Sequence, residues 1–108
     1  MARVNIIEYV TIATVGNTTD FGNLTAARGQ VTATGSSTRG LFLAGDTPTV
    51  SDVIDYITIA STGDASDFGD ASEAKDFCAS LSSSTRGVLF GGTPDGGSTL
   101  RDTIEYVT

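Results

Sequence analysis

The sequence predicts an all-β repeat protein, and three observations support this prediction. The segment from Ile7 to Ala13 returns from Ile54 to Ala60, an offset of 47 residues between Tyr9 and Tyr56, and a third copy begins at Ile104. These segments are rich in β-branched and aromatic residues and too short for typical helices. Glycine-rich and polar turns separate them. Self-similarity at a fixed period is typical of propellers, solenoids and arrays, whose units bury their apolar faces against neighbouring units.

Three segments of each repeat predict strands. The first, Gly29–Gly35, alternates small and polar residues, which suits a strand in a crowded place. The second, Leu41–Ala44, is a continuous apolar run that recurs as Val88–Phe90. The third, Val53–Ala60, carries apolar side chains on both faces, so we expect a strand that is covered on both sides.

The segments between these strands are predicted from their composition. Gly16–Asp20 and Gly63–Asp67 are rich in glycine, aspartate and small polar residues and are expected to form turns. Leu24–Arg28 and Ala71–Asp76 resemble helices only over a short window, and we expect irregular connections there.

The repeats define one domain of 108 residues. Repeat one spans about residues 5–51, repeat two about residues 52–101, and a partial third strand residues 102–108. The second repeat is longer than the first, and the extra residues fall in a predicted turn, Asp95–Ser98. About four strands per repeat, with small residues on one strand and apolar residues on both faces of its neighbours, is the pattern of a propeller blade.

The repeat unit resembles a kelch repeat. Kelch blades carry a basic residue before the inner strand, an apolar strand that ends in Gly-Gly, an acidic-Tyr pair, and a tryptophan at the start of the outer strand. Arg28 and Lys75 take the basic position, Gly91-Gly92 matches the glycine pair, and Gly45 is followed by Asp46 instead. Phe21 and Phe68 stand where the tryptophan would be. The resemblance implies about two four-stranded kelch-like blades, completed by oligomerisation or by the rest of a larger ring.

Three short phrases are also similar to repeats in predicted structural proteins of marine tailed phages. They are Glu-Tyr-Val-Thr-Ile-Ala, Asp-Phe-Gly and Ser-Ser-Thr-Arg-Gly. This similarity implies a virion or extracellular location. The sequence has no apolar run of membrane-spanning length, and its first residues lack the apolar region of a secretory signal.

Cutting the chain as kelch repeats leaves incomplete blades at both ends. The chain then holds strands three and four of one blade, a complete blade, and strands one to three of another. An open apolar edge promotes association, so we expect head-to-tail docking with copies of the chain or with other blades. One copy of the duplicated third strand is then displaced, is redundant, or continues into further sequence. The expected assembly residues are Ile7, Tyr9, Val10, Ile12, Ile104 and Tyr106.

Charged residues recur with the repeat and have two readings. Arg39 and Arg86 each follow Ser-Ser-Thr, and Glu8, Asp55 and Glu105 each precede a tyrosine. Ion pairs or hydrogen bonds across the sheet are one explanation. Display at a ring face for ligand recognition is the other.

Composition narrows the classes of partner. Thirteen acidic and six basic residues give a net charge of −7, which repels phosphate backbones and anionic lipid. We therefore expect neither nucleic acid nor a membrane as a partner. Copies of the chain, a glycan or another virion protein are compatible with this charge.

The sequence does not favour catalysis. It contains no histidine, and its single cysteine, Cys78, is expected to be an ordinary buried thiol. We expect no enzyme and no cofactor. An acidic stretch could supply oxygen ligands for calcium or form a solvated edge, and since its spacing is not that of an EF-hand loop we expect no metal. The stretch contains Asp64, Asp67, Asp70, Glu73 and Asp76.

The function expected from the sequence is a structural or binding module of a virion or surface fibre. The alternative is a carbohydrate-binding propeller with one site per blade. Binding of a glycan would distinguish the two.

Overall fold

The computed structural model describes residues 2–108, and in that range it contains nine β-strands and no helix. No helix of the length and apolar character needed to cross a membrane is therefore present in the described residues. The strands are β1 (Ile6–Tyr9), β2 (Thr19–Asn23), β3 (Thr32–Gly35), β4 (Arg39–Leu43), β5 (Val53–Thr58), β6 (Ser66–Asp70), β7 (Ala79–Ser82), β8 (Gly87–Phe90) and β9 (Ile104–Val107).

The strands form three antiparallel sheets in chain order. The first sheet pairs β1 with β2, the middle sheet has the order β3-β4-β5-β6, and the third has the order β7-β8-β9. Every strand pairs with the strand that follows it inside its own sheet, as in a meander. The prediction of an all-β protein is confirmed.

The repeat in the sequence is also a repeat in backbone geometry. The pairing of β1 with β2 shifts register between Ile7 and Glu8, and that of β5 with β6 shifts at the equivalent step. Such a bulge increases the local twist of the strands. Gln30 and Phe77, also one repeat apart, both have a positive φ of 54°. Equivalent positions of the two repeats therefore share the same backbone irregularities.

Apolar side chains pack between successive sheets in two clusters. The larger cluster joins the middle and third sheets, and the smaller joins the first and middle sheets. The buried members of the larger are Leu41, Leu43, Ile54 and Leu89, and those of the smaller are Ile7, Phe21 and Leu24.

The first strands of the middle and third sheets lie side by side through small polar residues. The hydroxyls of Thr32 and Ser80 are 2.7 Å apart, and Ser80 Oγ also donates to the carbonyl of Ala33 at 3.0 Å. Ser82 Oγ likewise donates to the carbonyl of Gly35 at 2.5 Å. The small residues of β3 therefore allow close packing, as the sequence predicts for a crowded strand.

Several predicted boundaries are wrong by two to four residues, and the cause is pairing between strands. The strand predicted to run to Ala13 ends at Tyr9, because β2 supplies partners only as far as Thr19. The predicted turns at Gly16–Asp20 and Gly63–Asp67 end earlier, since their last residues begin β2 and β6. Strand pairing outweighs the local preference of these residues for turns.

Tyr56 is the aromatic residue whose removal tests this packing. Its ring meets Phe68 edge to face at 6.1 Å and packs against the larger apolar cluster. We expect Tyr56→Ala to lower the free energy of unfolding by about 3 kcal/mol, measured by denaturant titration. Tyr106→Ala is the control, because the equivalent ring is 62% exposed. A loss below about 0.5 kcal/mol for Tyr56→Ala, as is usual for a surface residue, would contradict the packing.

Candidate functional site

A buried carboxylate lies at the centre of the middle sheet. Asp55 on β5 is fully buried and accepts a hydrogen bond from Arg28 Nη2 at 2.8 Å. Thr25 donates its backbone N–H to the same carboxylate at 3.0 Å and its hydroxyl at 2.8 Å. Arg28 also donates to the carbonyls of Ala44 and Val53. One ion pair thus holds the connection before β3 against β4 and β5.

The third sheet repeats this arrangement with different residues. Lys75 Nζ donates to Glu105 Oε2 at 2.7 Å and to Thr103 Oγ1 at 3.3 Å. The backbone N–H of Ser72 donates to Glu105 Oε1 at 2.7 Å. Burial alone would raise the pKa of Glu105, but the hydrogen bonds from Lys75 and Ser72 outweigh it and lower that pKa below its usual value.

Glu8, the third acidic residue of the series, lacks this environment. Its side chain is exposed and accepts a hydrogen bond from Thr18 Oγ1 at 2.7 Å. It forms no ion pair with any residue in the range 2–108.

The recurring acidic residues are therefore ion-paired in two of three cases, but not with the arginines that recur beside them. Asp55 pairs with Arg28, and Glu105 pairs with Lys75; these two ion pairs were not predicted from the sequence. The available signal was the equal offset of the two basic residues before the first strand of each sheet. The composition of the chain could not show which carboxylate each basic residue binds, because the connections that carry Arg28 and Lys75 are irregular.

Arg39 and Arg86 instead stack on tyrosine rings. The Cζ atom of Arg39 lies 4.4 Å from the ring centroid of Tyr56, and that of Arg86 lies 4.3 Å from the ring of Tyr106. This is the geometry of a cation–π contact. With Phe68 on the next strand, the middle sheet has an Arg-Tyr-Phe series across β4, β5 and β6.

The end sheets each hold part of that series. The first sheet has the aromatic pair Tyr9 and Phe21, with centroids 5.9 Å apart, and no arginine. The third sheet has Arg86 and Tyr106 and no outer phenylalanine. The two parts together would make one complete series.

An open cleft of about 620 Å³ separates the first sheet from the middle sheet. It occurs where the first sheet, with two strands, lacks the two strands that come first in the middle sheet. Apolar residues of both sheets line it, among them Ile7, Phe21, Leu24, Val31, Phe42 and Ile57.

The six predicted assembly residues have different environments. Ile7 is buried inside the chain, in the smaller apolar cluster. Val10 and Ile12 lie beyond the end of β1, which corrects their prediction as strand residues, and are 50% and 97% exposed. Tyr9, Ile104 and Tyr106 lie on strands and are 40%, 75% and 62% exposed.

The carboxylates of the acidic stretch in the second repeat do not point toward a common site. Asp64 accepts the backbone N–H of Asn23, and Glu73 pairs with Arg101. Within the described part of the chain no three side chains of the ligating types are grouped as a metal site. Cys78 is half-buried beside the larger apolar cluster, and burial raises the pKa of its thiol.

The buried carboxyl of Asp76 forms no ion pair with any residue in the range 2–108. It is 3% exposed, its Oδ1 has no hydrogen-bond partner, and burial and the charge of Asp46 raise its pKa. A raised folded-state pKa favours the protonated form, so ionised Asp76 destabilises the fold as pH rises through that pKa.

We expect Asp76→Asn to stabilise the protein at neutral pH and to lose this advantage as pH falls. Melting temperatures across a pH series measure the effect. Asp70→Asn is the control, because Asp70 is exposed. Equal melting temperatures for Asp76→Asn and the parent at neutral pH would contradict the argument.

No protein-family profile matches the chain, and no curated protein matches it in sequence.

Proposed function

We propose that the chain is a non-enzymatic structural or binding module of β-propeller type that assembles head to tail with copies of itself. Such a module suits a component of a virion or a surface fibre. The observation that carries the proposal is the division of the strands into sheets of two, four and three. The first sheet corresponds to the outer half of the middle sheet, and the third sheet begins with the inner half.

The missing strands of the first sheet have counterparts at the other end of the chain. By the repeat, β1 and β2 correspond to β5 and β6, and β7 and β8 correspond to β3 and β4. Pairing β8 of one copy with β1 of the next gives a four-stranded sheet with the order of the middle one. Strand addition at an open edge is a common mode of association.

The cleft supplies the apolar surface for this contact. In the middle sheet Leu41 and Leu43 of β4 are 7% and 1% exposed, packed against the third sheet. Their counterparts on β8, Val88 and Phe90, are only half-buried. In the joined sheet the two side chains would enter the cleft of the next copy, between Ile7 and Phe42.

Charge complements the apolar contact. Glu8 of the incoming copy stands where Glu105 stands on β9, so Lys75 of the first copy would pair with Glu8. Arg86 would likewise stack on Tyr9, next to Phe21, and complete the Arg-Tyr-Phe series. Lys75 would thus have an acidic partner both before and after assembly, which avoids the cost of an unpaired buried charge.

The exchange requires that β9 leave its place. The sequence Ile-Glu-Tyr-Val-Thr is identical at Ile7–Thr11 and Ile104–Thr108, so β1 of the next copy can make the same interactions with β8 that β9 makes within its own chain. The incoming β1 brings β2 with it, and Phe21 and Leu24 come with that strand. The additional strand and its apolar side chains favour the exchange.

Native mass spectrometry of the intact chain tests the proposal. We expect a discrete multiple of the chain mass if the rotation per copy divides a full turn, and a ladder of multiples if it does not. A single monomer at every concentration would contradict head-to-tail assembly.

A second candidate function is carbohydrate binding with one site per blade. It is favoured by a cavity of about 120 Å³ between the middle and third sheets, with several serine and threonine residues in its lining. A glycan array tests this candidate, and binding of no glycan would contradict it.

A further inference from the structure

Arg39 and Arg86 differ from the other basic residues of the chain. Arg3, Arg28, Lys75 and Arg101 each form an ion pair with a carboxylate. Neither Arg39 nor Arg86 forms one with a residue in the described range, and neither guanidinium donates a hydrogen bond there. Each guanidinium instead stacks on a tyrosine ring. This contact leaves its N–H groups without a carboxylate acceptor.

Both arginines line the cavity between the middle and third sheets. Among the described residues that line it, none is acidic. The chain has a net charge of −7, yet this cavity is lined by two cations that have no carboxylate partner and by no negatively charged side chain. Such a place attracts an anion.

The remaining lining offers two further kinds of contact. The hydroxyls of Thr34 and Ser84 line the cavity and have no hydrogen-bond partner among residues 2–108. Leu41, Phe68 and Val107 add apolar and aromatic surface. Hydroxyl groups can donate and accept hydrogen bonds, and an aromatic face can cover the C–H groups of a ligand.

We propose that this cavity binds a sugar acid, with the carboxylate at Arg39 or Arg86. A guanidinium binds a carboxylate through two parallel N–H donors, which gives both strength and orientation. The hydroxyls of Thr34 and Ser84 suit sugar hydroxyls, and Phe68 suits the apolar face of a sugar ring. A bare phosphate or sulfate would leave the apolar surface unused. The inference rests on the second candidate function, glycan binding. It does not require assembly, in which Val10 of the next copy would take the place of Val107 in the lining.

Calorimetric titration of the full chain with sodium glucuronate, glucose and sodium sulfate at constant ionic strength tests the inference. We expect glucuronate to bind more tightly than either of the others. Arg39→Gln or Arg86→Gln, whichever removes the guanidinium that binds the carboxylate, should weaken glucuronate binding about tenfold, the usual effect of losing a hydrogen bond to a charged group. If neither variant weakens binding, the carboxylate is not bound by these arginines. Arg101→Gln is the control, because it removes the same charge from an arginine that is paired with Glu73.

A second variant, Arg39→Lys, keeps the charge and removes the paired N–H donors. Intermediate weakening supports recognition of a carboxylate by the guanidinium, and thermal unfolding confirms that each variant is folded. Equal binding of glucose and glucuronate would overturn the acid preference and leave glycan binding in place. Equal binding of sulfate and glucuronate would overturn the sugar class. No binding of glucuronate or glucose would overturn the inference and count against glycan binding as well.

Discussion

Replacing Asp55 with alanine is expected to lower the free energy of unfolding by about 3 to 5 kcal/mol, the usual cost of removing one partner from a buried ion pair. The Arg28 side chain that remains is 1% exposed, so its charge cannot be hydrated. Its hydrogen bonds to two carbonyl oxygens do not neutralise that charge. The backbone N–H of Thr25 loses its acceptor in the same variant. Denaturant unfolding near neutral pH measures the loss.

Two further variants separate the charge from other effects of the substitution. Asp67 on β6 lies opposite Asp55 in the strand register, but its side chain is exposed. Asp67→Ala should therefore change the free energy of unfolding by less than about 0.5 kcal/mol. The double variant Arg28→Met with Asp55→Leu removes both charges and should recover part of the loss. If Asp55→Ala costs no more than Asp67→Ala, the ion pair does not hold the connection to the sheet.

The repeat in the sequence predicts most of the strand positions. The 47-residue offset predicts the same backbone geometry in β1 and β5, and their shared bulge at Ile7 and Ile54 agrees with this. The alternation of small and polar residues also predicts the crowding of β3. These features depend on local composition and on the repeat period, and the sequence shows both.

The ends of the strands and the partners in the ion pairs cannot be predicted from local composition and repeat period. Val10 and Ile12 have the composition of a strand, yet β1 ends before them because β2 supplies no partner. Arg28 and Lys75 recur at the repeat offset, but the connections that carry them before β3 and β7 are irregular, so their contacts cannot be deduced from strand geometry. The sequence therefore predicts that the acidic residue recurs, but not which cation it binds.

Phe90→Asp is expected to convert the assembled protein to a monomer. In the proposed contact Phe90 takes the position of Leu43, which is 1% exposed in the middle sheet. A carboxylate in that largely apolar cleft would lose hydration, which costs several kcal/mol. Arg28 also lines the cleft, but its charge is already paired with Asp55. Within one chain Phe90 is half-buried, so the aspartate can turn to water and the monomer remains folded. Sedimentation velocity measures the size of the particle.

Phe77→Asp is the matched control, because Phe77 is 59% exposed and lies outside the strands and the cleft. It should sediment like the parent chain. A parent chain that assembles and a Phe90→Asp variant of the same size would show that the chains associate through another surface.

Removing residues 102–108 tests whether β9 occupies the place that β1 of the next copy takes. In the exchange, β9 competes with an identical five-residue sequence, so its removal should increase association at a given concentration. Lys75 is then left without Glu105, which adds a reason to bind Glu8 of another copy, since an unpaired buried cation is costly. Adding Glu8→Lys to the shortened chain places two cations together and should reverse the gain. If the shortened chain associates less than the parent, β9 is part of the contact, and the displacement of β9 by β1 is wrong.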